Sequence, residues 1–370
     1  MKHMIVYTLY GLLAVIIILG TIIYINSPGK PGQLTDNNGH LIPGSISEKT
    51  FVSIGGVKQG MFIRSKNQDN PVLLYLHGGP AFPNYFLIEK YTPGLEKYFT
   101  VCYWEQRGGG LSYSPEVKNS SMTFSQLTAD ALEVTNYLRT RFNKEKIYIL
   151  AHSGGTPIAL KAVAEQPMLF HAYIAMAQMT NQAKSERLAL DFMLNRAEES
   201  GDNRTFRKIQ QLRKNSEIDG ILSFFRSPSR DKYMHSMGIG TMRKMKSVAK
   251  GVFIPVWMCK AYTVKEKFNI WKAKLTFVPK TGIFKEVIET DFSSQINELK
   301  VPVYFFSGKH DYTVNTSLSR DYFNKLNAPL KGFYTFHNSA HSPLFEEPNL
   351  AMKIIESDVL RGKNTLSDGY

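Results

Sequence analysis

A chain of 370 residues, 43% hydrophobic and 21% charged, is long enough for one large domain with an insertion, and its composition is globular rather than disordered. The formal net charge of +14 suits an anionic membrane surface, a cell wall or a nucleic acid. No Cys/His metal framework and no arginine-rich tail accompany that charge, so nucleic-acid binding is set aside, and two distant cysteines, Cys102 and Cys259, read as core packing.

The first element runs from Met4 to Ile25, 22 residues without a charge. That length crosses a hydrocarbon layer as a helix. A cleaved signal peptide has a shorter apolar run followed by a small-x-small site, whereas Tyr24, Ile25 and Asn26 stand here. An uncleaved transmembrane anchor over residues 1–26 is therefore expected. Lys2 and the amino terminus favour an N-in orientation with the catalytic domain extracellular, although Lys30 reduces the asymmetry. Ser27–Gly44, rich in Pro, Gly, Asn and Ser, reads as the main part of a linker over 27–50 that lifts the domain off the membrane.

Phe51–Ile54 and Gly60–Arg64 form a predicted hairpin around Gly55-Gly56. Val72–Leu76 and Phe99–Trp104 are short apolar runs, ending in His77-Gly78-Gly79-Pro80 and in Glu105-Gln106-Arg107-Gly108. Phe124–Phe142 has helical spacing, with Leu127, Ala131, Val134 and Leu138 on one face. Then follow a strand at Lys146–Leu150, a helix at Thr156–Ala164 and a strand at Ala172–Ala177. Val301–Phe306, Leu318–Leu326 and Gly332–Phe336 close the pattern as strand, helix and strand. Apolar strands alternating with helices imply an α/β fold with a mostly parallel sheet covered on both faces, whose site lies at the carboxyl ends of the strands.

Between Asn181 and Asp291 the strand pattern stops. The segment holds 22 Lys/Arg against 12 Asp/Glu, together with Trp257 and Trp271, and reads as an inserted helical cap whose apolar residues wall a pocket. The expected division is a core over 51–180, a cap over 181–295 and a second core part over 296–370.

Ser153 stands in Ala151-His152-Ser153-Gly154-Gly155, after a strand and before a helix. Small residues two before and two after the serine permit a tight turn that holds its hydroxyl out of the sheet. A serine nucleophile needs a base, and the base needs an orienting acid. Asp311 and His341 follow two later strands in the order this fold uses. His310, His337 and Asp321 compete less well, being adjacent to the acid, continuous with a strand and inside a helix pattern respectively. The amide of Gly154 can serve a developing oxyanion, and the His77–Pro80 loop is placed to supply a second donor. His77 itself reads as a structural hydrogen-bonding residue.

HGGPA at His77–Ala81, WEQRGGGLS at Trp104–Ser112 and AHSGG at Ala151–Gly155 resemble the proline iminopeptidase group of α/β-hydrolases. GKHDYTV at Gly308–Val314 and SAHSPLFEEP at Ser339–Pro348 are similar too. The resemblance implies Ser153 as nucleophile, Asp311 as acid, His341 as base, and the amides of Gly79 and Gly154 as the oxyanion hole. It also implies that no metal or organic cofactor is needed. Ala81 and Ala151 replace glycines of the family pattern, Glu105 replaces an aspartate, and Gly154 stands where a bulky aromatic is common. Family aminopeptidases hold the substrate amine with acidic cap residues, and the adjacent pair Glu198-Glu199 is the candidate in this basic cap.

The sequence thus reads as a membrane-anchored serine hydrolase acting on an amide or ester of a small molecule or short peptide. A proline iminopeptidase-like aminopeptidase leads, with a carboxylesterase or lipase-like enzyme as the alternative and a non-enzymatic surface-binding protein third.

Overall fold

The computed structural model of the chain describes residues 1–214 and 217–369; Asn215 and Ser216 of the expected cap and Tyr370 of the second core part lie outside the described residues. Eight strands form one sheet in the order β1-β2-β4-β3-β5-β6-β7-β8. They are β1 Ile46–Ile54, β2 Val57–Ser65, β3 Val72–Leu76, β4 Thr100–Trp104, β5 Ile147–His152, β6 Phe170–Met176, β7 Val303–Gly308 and β8 Lys331–Phe336. From β3 through β8 every neighbouring pair is parallel, while β1 and β2 add an antiparallel edge. The edge hairpin is longer than the sequence suggests, and its two-residue turn places Gly55 and Gly56 at φ +54° and +73°. Such a turn follows the twist of the strands but demands residues without a Cβ.

The central strands are buried on both faces, as continuous runs such as VLLYL and TVCYW require. Leu74, Leu76, Ile149 and Ala151 enter one half of the core, and Leu73, Tyr75 and Leu150 the other. That alternation is the two-residue period of a strand. The helix Phe124–Arg141 starts at Thr123, whose side chain accepts the Gln126 amide, and buries Leu127, Ala131, Val134 and Leu138. Between β6 and β7 the chain is helical, beginning with Gln182–Glu199 capped by Asn181. Strand order reverses around β3 and β5, so a crevice opens at their carboxyl ends.

Lys2–Ile25 forms one helix, and its segment His3–Ile25 is long and apolar enough to cross a membrane, with none of that window buried inside the chain. The following segment does not stand away from the domain as the composition suggests. The Gly29 and Lys30 amides donate to the Lys260 carbonyl, and Arg64 Nη1 donates to the Gly32 carbonyl at 2.7 Å. Glycine and proline favour irregular backbone, but irregular backbone still packs wherever its polar groups find partners.

Candidate active site

β5 ends at His152, and the helix Thr156–Glu165 begins three residues after Ser153. Ser153 closes this turn at φ +54°. For a residue with a Cβ that backbone costs about 1–2 kcal/mol, a strain typical of a functional turn. Its neighbours must be small. A Cβ on Gly155 would lie 2.6 Å from the His77 carbonyl oxygen, and one on Gly78 would lie 2.7 Å from the Ser153 Cβ. Ala151 fits its position with no exposed surface. The loop after β3 is therefore pressed onto the serine turn, and a Cβ on Gly154 would stand only 3.3 Å from the Gly79 nitrogen.

Asp311 and His341 converge from the ends of β7 and β8. Asp311 Oδ2 accepts from His341 Nδ1 at 2.8 Å. Its other oxygen accepts the Thr313 and Val314 amides, both at 2.9 Å. An acceptor-only carboxylate assigns the imidazole proton to Nδ1 and leaves Nε2 with a lone pair. His341 and Ser153 face one cavity of about 230 Å³, with Gly79 and Gly154 also in its wall. Among the described residues no hydrogen bond joins Ser153 Oγ to His341; such contacts commonly tighten only when substrate binds. His310, His337 and Asp321 do not line this cavity.

His77 holds two loops together. Its Nδ1 donates to the Gly78 carbonyl at 2.7 Å and its Nε2 accepts the Gln106 amide at 3.1 Å. Burial lowers its pKa to about 4, so the ring is neutral and the network is complete. Glu105 is likewise buried, accepting from the Tyr262 hydroxyl and from the Leu111 amide, and burial raises its pKa to about 8. Arg107, from the same motif, makes a two-pronged contact with buried Asp130 at 2.5 and 2.6 Å.

Several residues around the cavity carried no role in the sequence reading, although His152 and Glu346 stand within the AHSGG and SAHSPLFEEP motifs. His152 lies under His341 with ring centroids 4.8 Å apart, and its Nε2 donates to the His341 carbonyl at 2.9 Å. Burial lowers its pKa to about 3. Glu346 accepts the Ala340 amide with one oxygen and the cap's Arg243 amide with the other, at 2.8 and 2.7 Å. The Gly240 carbonyl accepts the His341 amide, so the cap and the loop after β8 share hydrogen bonds. Arg230 and Asp231, on the cap helix Pro228–Ser236, line the cavity beside Lys274. Arg230 is held by buried Glu186 at 2.6 and 2.8 Å.

Glu198 and Glu199 are not brought to the site. Both are exposed at the end of the helix Gln182–Glu199, and Glu199 pairs with Arg196 at 3.0 Å. Residues on the outer face of a cap helix point away from the cavity that its inner face covers. A larger cavity of about 850 Å³ lies elsewhere, between the linker and the cap, and contains none of Ser153, Asp311 and His341.

Comparison with known proteins agrees with this architecture. Residues 71–348 match the family described as alpha/beta hydrolase fold. A probable aminopeptidase of Bacillus subtilis (YbaC) is 33% identical, over 83% of this chain and 94% of that protein. A proline iminopeptidase of Heyndrickxia coagulans is 22% identical, over 82% of this chain and 96% of that one. Among solved structures, a proline iminopeptidase-related protein of Thermus thermophilus superposes with a TM-score of 0.52 at 18% identity, covering 85% of this chain and 98% of that one. An epoxide hydrolase of Bacillus megaterium gives a TM-score of 0.53 at 16% identity, covering 84% and 100%. A shared fold hosts many reactions, so the chemistry has to be read from the site. On its matched motifs, its sheet and its relatives, this chain belongs to the α/β-hydrolase fold family, and within it resembles the proline iminopeptidases.

Proposed function

We propose that the chain is a serine hydrolase that cleaves an amide or ester through an acyl-enzyme on Ser153. The observation that carries this reading is the 2.8 Å contact of His341 Nδ1 with Asp311, beside a cavity whose wall holds both His341 and the strained Ser153. In this mechanism His341 Nε2 takes the proton as Ser153 Oγ attacks the carbonyl carbon. The amides of Gly79 and Gly154 receive the oxyanion. The imidazolium, stabilised by Asp311, returns its proton to the leaving group, and water then releases the acyl group by the same steps.

The substrate reading is an aminopeptidase acting on short peptides, in keeping with the relatives' names. Asp231, 42% exposed, in the cavity wall and 3.6 Å from Arg230 Nη1, replaces Glu198 and Glu199 as the carboxylate for a substrate ammonium group. A carboxylesterase or lipase-like enzyme is the second reading, favoured by Phe82, Phe86, Leu87 and Val252 in the same wall and by the cationic Lys274 and Arg230. The first helix serves as an uncleaved anchor, with the catalytic domain outside the cytoplasm. A panel of aminoacyl arylamides and short and long acyl esters, presented to the full chain in detergent, tests the reading. Turnover of arylamides with a free amine supports the aminopeptidase. Turnover of esters alone moves the protein to the second reading, and turnover of neither overturns both.

A further inference from the structure

The segment Ala249–Met258 is a short apolar helix, and it is turned outward in an unusual way. Gly251, Val252 and Val256 are buried, as the inner face should be. The opposite face is apolar as well: Phe253, Ile254 and Met258 are 47%, 50% and 46% exposed, Ile254 and Met258 in the wall of the larger, open cavity between linker and cap. The next helix, Val264–Lys272, and the turn after it add Phe268 at 52% and Leu275 at 67%. A helix in water normally shows charged residues on that side, and a contiguous apolar patch of this kind marks a contact surface. Lys250 and Lys260 line the same cavity wall as Ile254 and Met258, and Lys265 and Lys272 are exposed on the next helix.

The position of the patch narrows what covers it. Lys267 Nζ donates to the Asn26 carbonyl at 2.6 Å, to Ser27 Oγ at 2.9 Å and to the Trp257 carbonyl at 2.6 Å. One ammonium group thus binds the foot of the first helix to the end of the apolar helix. Ten residues of helix extend about 15 Å, so the whole stripe lies within roughly that distance of the point where the chain leaves its apolar span. The Gly29 and Lys30 amides on the Lys260 carbonyl fix the same junction.

We propose that this outward face of the cap docks on the surface of an anionic phospholipid bilayer, the one in which the first helix sits. The proposal rests on the reading of that helix as an anchor. Apolar side chains enter the acyl boundary and the surrounding lysines meet anionic headgroups, as in interfacial helices. The patch also connects to the chemistry. Ring centroids run from Phe268 to Trp257 at 5.1 Å, to Phe253 at 6.1 Å, to Trp271 at 5.2 Å and to Phe82 at 5.9 Å. Phe82 lines the cavity that holds Ser153. Docking therefore sets the bilayer at one end of a chain of aromatic contacts whose other end, Phe82, lines the site, an arrangement suited to a substrate that carries an acyl chain or another membrane-resident apolar group.

The test uses the full chain in nanodiscs of phosphatidylglycerol and phosphatidylcholine, with and without brominated acyl chains. Two of the three tryptophans, Trp257 and Trp271, belong to this surface, while Trp104 is buried in the core. The expected result is that brominated lipid removes most of the emission of Trp257 and Trp271. The double variant Ile254→Glu, Met258→Glu should lose that quenching while remaining in the nanodisc, since both side chains are exposed. Equal emission in plain and brominated discs, from a chain that resists alkaline carbonate extraction, overturns docking and leaves the anchor intact. A chain released by carbonate overturns the anchor and docking together. Unchanged quenching in the double variant also overturns the assignment of this face.

Discussion

Replacing Asp311 by asparagine separates geometry from chemistry at this site. Asp311 Oδ1 accepts two backbone amides, from Thr313 and Val314, at 2.9 Å each. Those groups only donate, so the variant's carboxamide oxygen stays on them and its NH2 group turns toward His341 Nδ1. Two donors cannot face each other at the 2.8 Å that separates Nδ1 from Oδ2. The imidazole is forced to carry its proton on Nε2, and no lone pair remains for the Ser153 proton. By analogy with other triads, turnover falls about 10⁴-fold, or about 5 kcal/mol of barrier. The two backbone hydrogen bonds and the side-chain volume survive, so the fold should persist. Initial rates on the best substrate of the panel, with a thermal melt of the same sample, measure both. A folded Asp311→Asn variant within tenfold of the wild type, or a larger loss from Asp321→Asn, would refute the assignment.

Three further outcomes follow from the same contacts. Asp231→Asn should raise KM for aminoacyl arylamides by about tenfold and leave simple esters unchanged, whereas the Glu198→Gln, Glu199→Gln pair should alter neither; steady-state kinetics on both substrate classes decide it. Gly154→Ala places a methyl 3.3 Å from the Gly79 nitrogen, crowding the proposed oxyanion site, and should lower kcat by about tenfold to a hundredfold with KM little changed. Glu105, with its pKa raised by burial from 4.5 to about 8, binds more protons folded than unfolded between those values. Its contribution is therefore full below pH 4.5 and lost as pH rises to about 8. Glu105→Gln should gain stability relative to the wild type across that window, seen as a difference in melting temperature that grows from pH 4.5 to 8 and then levels.

Much of the fold was legible because its strands are short, apolar and punctuated. Each expected strand lies within three residues of an observed boundary at the β3, β4, β5, β6, β7 and β8 positions. Edge strand β1 was underestimated because Ile46–Thr50 mixes polar and apolar residues, as an exposed edge does. At the proposed site, chain order and strand ends pointed to Ser153, Asp311 and His341, and the fold brings Ser153 and His341 to one cavity with Asp311 on His341 Nδ1. The cap resisted the same reading. Its helices converge on the cavity through tertiary packing that spacing does not encode, so the adjacent Glu198 and Glu199 lie exposed away from the cavity, while Asp231, which the sequence did not mark, stands in its wall. The linker misled for a related reason: its composition announces irregular backbone but not the carbonyl of Lys260, 230 residues away by number from Lys30, that holds it down.

The central claim is the nucleophile. Treating the full chain with a fluorophosphonate and mapping the adduct by mass spectrometry tests it most directly. A single adduct on Ser153 is expected, lost in Ser153→Ala and strongly slowed in Asp311→Asn. An active enzyme that carries its adduct on another residue, or that turns over substrate without being labelled, contradicts it.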